Sequence, residues 1–319
     1  MSSVLVAGGA GFLGSHLCDR LVGRGDRVVC VDDLSTGRRA NVAHLLDDPA
    51  FSLVEADVTR EIPVAGPFDA VCHLASPASP SAYRRRPMET LAVGSEGTRM
   101  LLELADAHGA RFLLASTSEV YGDPTVHPQV ESYRGNVDPV GPRSVYDEAK
   151  RFAEALTMAS HRTRGTDVAI ARIFNTYGPR LAPGDGRVVS NFMVQALATA
   201  PLTVYGDGSQ TRSLCFVDDE VEGLLALLSS AVVGPVNIGN PDERTVLDLA
   251  NQVLQVTGSR SEIALYPLPA DDPTRRCPDI ALAREVLGWE PTVPLEVGLA
   301  RTADYFSRRG SVPGDVGAD

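Results

Sequence analysis

The chain has 319 residues, enough for one large α/β domain or a nucleotide-binding domain with a smaller partner, and too many for a disulfide-stapled miniprotein. Its net charge of −12 repels nucleic acid and anionic membrane over the surface as a whole, while leaving room for one basic pocket that holds an anion. Hydrophobic residues make up 44 %, in runs well short of the roughly 20 apolar residues a membrane helix needs.

Short β-branched runs alternate with helical patterns from the N-terminus onward. VLVAG precedes a helix over Phe12 to Arg24, and RVVCVDD, FSLVEAD, FDAVCHLA, RFLLAST and VAIARIF follow as strands. Strands separated by helices make parallel βαβ units with right-handed crossovers, which predicts an α/β fold: a Rossmann-type doubly wound sheet. Ligands of such sheets sit beyond the carboxyl ends of the strands. The fifth run, preceded by Gly109, ends at the STSE turn and the sixth at Asn175, so both point at one crevice. The run Arg84, Arg85, Arg86 reads as a solvated set of cations opening a helix. Beyond residue 176 the pattern turns to Gly/Pro-rich loops (YGPRLAPGDGR, VYGDGSQTR, NIGNPDERT, YPLPADDPTRRCPD) joined by helices such as Val188 to Ala198. Residues 1–175 are therefore expected to form the dinucleotide-binding domain, rejoined by a strand near 235–240 (GPVNIGN). Residues 176–310 form mainly a smaller substrate lobe, and 311–319 a disordered tail.

The first strand runs into GGAGFLG, where Gly8, Gly11 and Gly14 fit GxxGxxG and Gly9, Gly11 and Gly14 fit GxGxxG. Either spacing lets backbone approach a pyrophosphate at a helix N-terminus whose first turn holds Phe12 and Leu13. Asp32 stands 18 residues beyond Gly14, at the end of the second strand, where a carboxylate accepts a ribose 2′-hydroxyl and repels a 2′-phosphate. NAD is the expected cofactor. Adjacent Asp33 leaves open which acid holds the ribose, and Ser35, Thr36 and Gly37, followed by Arg38 and Arg39, leave some room for NADP. Asp57 and Val58, after the third strand, fall near the adenine.

Tyr146 and Lys150, in YDEAK, share one helix face at i and i+4. A tyrosine with an ordinary pKa near 10 is a poor base at neutral pH. A neighbouring ammonium and a bound nicotinamide cation both favour its phenolate. Thr117, Ser118 and Glu119 stand at the carboxyl end of the fifth strand, within the same crevice. His73, His127 and His161 show no metal-ligand spacing, so no metal is expected. Cys18, Cys30, Cys72, Cys215 and Cys277 are odd in number, scattered and without a CxxC pair, and read as reduced core thiols. With no positively charged leader in MSSVLVAGGAGFLGS, a cytoplasmic protein is expected.

Together these motifs resemble the extended short-chain dehydrogenase/reductase superfamily, along the chain to about residue 305. HLASPASPSAY, LLASTSEVYGDPTVHPQVESY, GNVDPVGPRSVYDEAKRFAEAL, ARIFNTYGPRL, DGRVVSNF, LTVYGDGSQTRS and LGWEPTVPLEVGL are similar, more narrowly, to the UDP-glucuronate decarboxylases, also called UDP-xylose synthases. Sugar-nucleotide 4,6-dehydratases carry Asp-Glu after the strand-five Thr, where this chain has Ser118 and Glu119; the 4-epimerases lack the HLASPASP stretch. A 4-epimerase, a dehydratase and a non-catalytic cofactor-binding regulator are the alternatives on this fold.

The resemblance implies NAD-dependent oxidation of UDP-glucuronate at C4 with Tyr146, Lys150 and Thr117, loss of CO₂ from the resulting β-keto acid, and re-reduction to UDP-xylose. It makes Ser118, Glu119 and Arg212 further catalytic residues. Glu119, facing a substrate carboxylate, carries a raised pKa or sits near C5; Arg212 is a phosphate clamp or the proton source at C5. Leu74 and Ala75 border the cofactor, and Pro77, Ala78, Ser79 and Tyr83 the sugar carboxylate. Asn175, Arg180, Val188, Asn191, Tyr205, Gln210 and Arg276 line the loops at the nucleotide end, with Arg276 suited to the diphosphate and Tyr205 to the uracil ring. A homodimer is implied, formed by pairing two helices per subunit, one of them carrying Tyr146 to Met158.

Overall fold

The computed structural model describes residues 1–267 and 275–308, so the tail 311–319 lies outside the described residues. Strand β1 (Ser3–Ala7) passes through the glycine turn into helix α1 (Phe12–Gly23), and β2 (Arg27–Asp32), β3 (Phe51–Glu55) and β4 (Ala70–His73) follow. Two short helices, α2 (Pro80–Arg85) and α3 (Pro87–Ala92), lead through one π-type turn at Val93–Gly97 into α4 (Thr98–His108). Next come β5 (Arg111–Thr117), the long helix α5 (Ser144–Arg164) and β6 (Val168–Ile173). The three clustered cations do not open a helix. Arg84 and Arg85 close α2 and Arg86 is its joint to α3, where positive charge meets the negative end of a helix dipole.

The second half supplies β7 (Thr176–Tyr177), α6 (Val188–Leu197), β8 (Leu202–Tyr205), β9 (Thr211–Ser213), β10 (Cys215–Phe216) and α7 (Val217–Leu228). It continues through β11 (Pro235–Ile238), β12 (Glu243–Thr245), α8 (Val246–Thr257), β13 (Ile263–Tyr266), α9 (Ala281–Leu287) and α10 (Leu295–Arg308). One seven-stranded sheet, in the order β11-β6-β5-β4-β1-β2-β3, carries the fold, and each neighbouring pair in it is parallel. Strand β11 joins its edge by pairing Pro235–Ile238 with Ile170–Ile173. The remaining strands make two-stranded ribbons, β10-β7, β12-β9 and β13-β8.

Period-two alternation loads both faces of this sheet. Val4 and Val6 of β1 pack with Leu17 and Leu21 of α1 and Leu224 of α7. Leu5 and Ala7 pack with Leu101, Leu102 and Ala105 of α4 and Ala153 of α5. Strands covered on both sides have no wet face, which is why their sequences read as continuous apolar runs. Each fully buried Leu in these layers contributes about 1.5–3 kcal/mol relative to exposure. The order reverses between β1 and β4, and the crevice beyond their carboxyl ends is where open sheets of this kind take ligands.

Candidate active site

The glycine turn closes on β4. Gly8 has φ +80°, and a Cβ there would stand 2.5 Å from Ala75 N and 2.6 Å from the Leu74 carbonyl carbon. A Cβ on Gly14 would lie 2.1 Å from Gly8 O. Side-chain-free positions therefore let turn, helix and β4 meet. The N-terminus of α1, where Phe12 and Leu13 are half-buried, has no side-chain cap and no acid in its first turn, which leaves its N–H groups for an anion.

Asp32 is 6 % exposed and stands against this turn, its Oδ2 accepting from Ala10 N and its Oδ1 from Leu34 N, both at 2.9 Å. Burial raises its pKa and the two N–H bonds pull it back. Each oxygen keeps a lone pair for a further donor. Asp33 points outward and accepts only from Ser35 N, at 3.0 Å, so Asp32 is the acid at the glycine turn. Ser35, Thr36 and Gly37 form the bend after it, and a Cβ on Gly37 would come within 2.6 Å of Asp32 Oδ1. Asn41 donates from Nδ2 to Ala10 O at 2.9 Å and so braces the rim. Asp57 accepts from Thr59 N and Oγ1 at 2.9 and 2.7 Å, while Val58 is buried in the core.

Across the crevice, α5 and the end of β5 bring Tyr146, Lys150 and Thr117 together. Tyr146 is hydrogen-bonded to Thr117, whose Oγ1 also accepts from Glu119 N at 3.2 Å. Burial pushes the Tyr146 phenol well above its ordinary pKa; Arg187 pulls down, Glu119 pushes up and the Thr117 bond lowers it. Lys150 is buried, and its Nζ donates to Ala115 O of β5 at 2.8 Å, 5.9 Å from the centroid of the Tyr146 ring. Burial lowers its pKa to about 8. Tyr83 stacks on Tyr146 with centroids 5.3 Å apart and planes within 10°, its hydroxyl buried and unpartnered.

Glu119 lies between two guanidinium groups. Arg143 Nη2 donates to its Oε2 at 2.5 Å, and Arg276 Nη1 pairs with its Oε1. Burial alone would raise the Glu119 pKa, yet Arg276 and Arg143 together bring it down to about 2. The two cations hold the acid well below the usual carboxylate range, opposite to a raised pKa. Arg276 is also not a free diphosphate clamp. It is 4 % exposed, its Nη2 donates to Gly122 O at 3.1 Å, and its Nη1 lies 3.5 Å from Ser118 Oγ, which fixes it behind the STSE turn. Arg212 lies on β9, where its Nη1 donates to Thr211 O at 2.8 Å, and Glu119 is paired by Arg143 and Arg276 instead.

Other predicted positions spread around the crevice. Pro77 is buried, Ala78 O accepts from Arg187 Nη2 at 3.0 Å, and Ser79 caps α2 by accepting from Ala82 N. Asn175 lies between β6 and β7 with its carbonyl accepting from Cys215 N at 2.9 Å, Val188 opens α6, and Asn191 Nδ2 donates to Gly186 O at 3.4 Å. Tyr205 is 43 % exposed beside Tyr266, and Gln210 Nε2 donates to its carbonyl at 2.7 Å. Arg180 departs from the substrate loops: it pairs with Asp19 of α1 at 2.6 Å, an acid too distant in sequence for the motif to reveal. His127, Glu243 and Cys277 bring potential ligand atoms within 4.8 Å of one another, a grouping hidden by their separation along the chain. Protein partners already meet them: His127 Nε2 is 2.9 Å from Glu243 Oε2, Thr211 donates to Glu243 Oε1, and Cys277 Sγ reaches Pro241 O.

Residues 4–239 match the NAD dependent epimerase/dehydratase family. The chain belongs to this family. A UDP-glucuronic acid decarboxylase of Arabidopsis thaliana is 53 % identical over 306 residues, covering 96 % of this chain and 70 % of its own length. The solved UDP-glucose 4-epimerase of Thermotoga maritima, with UDP-glucose, superposes with a TM-score of 0.89 at 31 % identity, over 96 % of this chain and 99 % of that one. The UDP-glucuronic acid 4-epimerase of Bacillus cereus, in complex with UDP-glucuronic acid and NAD, gives 0.87 at 28 % identity over 96 % and 99 %.

As in an NAD dependent epimerase/dehydratase, the cradle fits a dinucleotide: the turn is closed to any Cβ, the α1 N-terminus is open to an anion, and a buried carboxylate stands beside it. The sequence pattern missed Arg143, Arg187 and Asn41, which belong to no fingerprint. Arg143 had one available signal, its place one turn before Asp147 on the Tyr146 helix.

Proposed function

We propose that this protein decarboxylates UDP-glucuronate to UDP-xylose with NAD. The observation that carries the reading is the joining of the Tyr146–Thr117 pair to an ionised Glu119 clamped by Arg143 and Arg276. The identity of 53 % to a decarboxylase, against 31 % and 28 % to the two epimerases, favours the same substrate step. Ser118 stands where a dehydratase would need an acid able to protonate a leaving hydroxyl.

Bound NAD supplies the hydride acceptor at C4 and, in its oxidised form, a positive charge that stabilises the Tyr146 phenolate. Tyr146 Oη takes the C4 hydroxyl proton, with Thr117 Oγ1 orienting the same oxygen. Once C4 is a ketone, the C6 carboxylate is β to it. The C5–C6 bond then breaks with its electron pair passing to an enolate on the C4 oxygen, which faces the Tyr146 and Thr117 hydroxyls. Lys150, held by Ala115 O, anchors the cofactor side of the helix. Arg276 and Arg143 neutralise Glu119, so a second carboxylate can approach without facing an unpaired charge. C5 takes a proton from solvent in place of the lost CO₂, Tyr146 returns its proton to the C4 oxygen as C4 is reduced again, and the bound cofactor would end the cycle in its starting form. Pro77, Ala78, Ser79 and Tyr83 are assigned to the sugar, Asn175, Val188, Asn191, Tyr205, Gln210 and Arg212 to the nucleotide. Asp32, Asp57 and the bend at Ser35, Thr36 and Gly37 are assigned to the adenosine half of NAD.

The domain reading follows the same division, with residues 1–175 and β11 for the cofactor and the remaining loops to residue 310 for the nucleotide sugar. Met88 and Leu91 of α3 and Phe152 of α5 are 71 %, 37 % and 52 % exposed on helices that pack together, which supports a homodimer paired through α5. The five cysteines are free and buried, which supports a cytoplasmic location. No helix among the described residues is long and apolar enough to cross a membrane.

The test is incubation with UDP-glucuronate, with and without added NAD, followed by mass spectrometry and NMR of the nucleotide sugar. Loss of CO₂ with a 4-hydroxy pentose supports the reading. A product of unchanged mass means a 4-epimerase instead.

A further inference from the structure

Arg143, Tyr146, Asp147 and Lys150 fall on one side of α5, at i, i+3, i+4 and i+7. Three of them are accounted for. Asp147 is not, although it is only 6 % exposed. Its Oδ1 is enclosed and accepts no hydrogen bond. The cation one turn before it, Arg143, is the natural i,i+4 partner, yet Arg143 turns its Nη2 to Glu119 at 2.5 Å. An enclosed carboxylate oxygen left without a donor is costly, so Asp147 Oδ1 favours the protonated acid or takes a donor from a neighbour.

We propose that Asp147 is a positioning residue that governs the Glu119 clamp: as the neutral acid it leaves Arg143 to Glu119, and as the anion it draws Arg143 back along α5. This deepens the decarboxylase reading and rests on it. The groups that face Asp147 are Glu119 from the turn after β5, Arg276 from the chain before α9, Tyr83 from α2, Arg143 at the N-cap of its own helix, and Tyr146 and Glu148 within it. Burial and the Glu119 charge hold its proton, while Arg143 and Arg276 oppose them, and the balance puts its pKa at about 7. Below that pH the cluster holds one anion between two guanidinium groups; above it, two anions compete for the same pair. Glu119 then loses a fixed orientation toward the reacting carbons.

The protonated acid is the competent form, so activity falls as pH rises through 7. With that midpoint, about one eleventh of the enzyme keeps Asp147 protonated at pH 8, a tenfold fall from pH 6, and Lys150 deprotonation near 8 about doubles it, so wild-type kcat/KM drops about twentyfold. D147N fixes the neutral shape. It is expected to show only the roughly twofold fall at pH 8 that Lys150 deprotonation near 8 produces. Independently of turnover, ¹³C NMR of the labelled Asp147 carboxyl in the substrate-free protein is expected to titrate with a midpoint near 7. An alkaline limb in D147N as steep as that of the wild type overturns the proposal, and so does an Asp147 carboxyl that titrates in the ordinary acid range. A wild-type protein that releases no CO₂ overturns the decarboxylase reading alone, because the carboxyl titration is read without substrate.

Discussion

Replacing Glu119 with Gln keeps the shape of the side chain and removes its charge from between Arg143 and Arg276. Glu119 is 17 % exposed at its side chain, and its pKa falls from 4.5 to about 2 on folding. At about 1.36 kcal/mol per pKa unit, the folded protein favours the ionised form by about 3 kcal/mol. That lies at the lower edge of the 3–5 kcal/mol range found when one partner of a buried pair is removed. Because the folded pKa is depressed, this stability is present above pH 4.5 and is lost as pH falls toward 2. For a chain of this size about 3 kcal/mol corresponds to a melting temperature lower by about 5 °C. Differential scanning fluorimetry at pH 7 is therefore expected to show E119Q melting about 5 °C below wild type, with the gap narrowing below pH 4.5. The same variant should lose most of its CO₂ release, because two unpaired guanidinium groups then face the sugar carboxylate. A variant melting within 1 °C of wild type at pH 7 would refute the energetic role of the clamp, and unchanged decarboxylation would refute its chemical role.

Y146F should lower turnover by about 10²- to 10⁴-fold while leaving bound NAD intact, measured as product formed and as nucleotide released on denaturation; turnover near wild type would remove Tyr146 as the base. G14A places a Cβ 2.1 Å from Gly8 O, so the purified variant should carry little or no NAD; full occupancy would show that the turn yields. F152E puts a charge on the exposed apolar face of α5 and should shift light-scattering mass to one chain, whereas a persistent dimer would move the interface elsewhere.

Much of the site was legible because it depends on local rules. The glycine spacing, the acid at the end of β2 and the Tyr146–Lys150 pair each follow from one strand end or one helix turn. Arg276 was assigned to the diphosphate because a guanidinium near the end of a loop suits any anion. Only the fold brings it beside Glu119, 157 positions earlier in the chain. For the same reason the sequence does not reveal that Arg180 pairs with Asp19 of α1.

By itself the sequence determined the parallel sheet, since strands alternating with helices make right-handed parallel βαβ units, and it determined the cofactor turn, since only glycine tolerates that closeness. The tertiary structure decided which charges meet. Ionisation at Glu119 and Asp147 depends on burial and on guanidinium groups held by distant segments, and these exist only after the chain has folded.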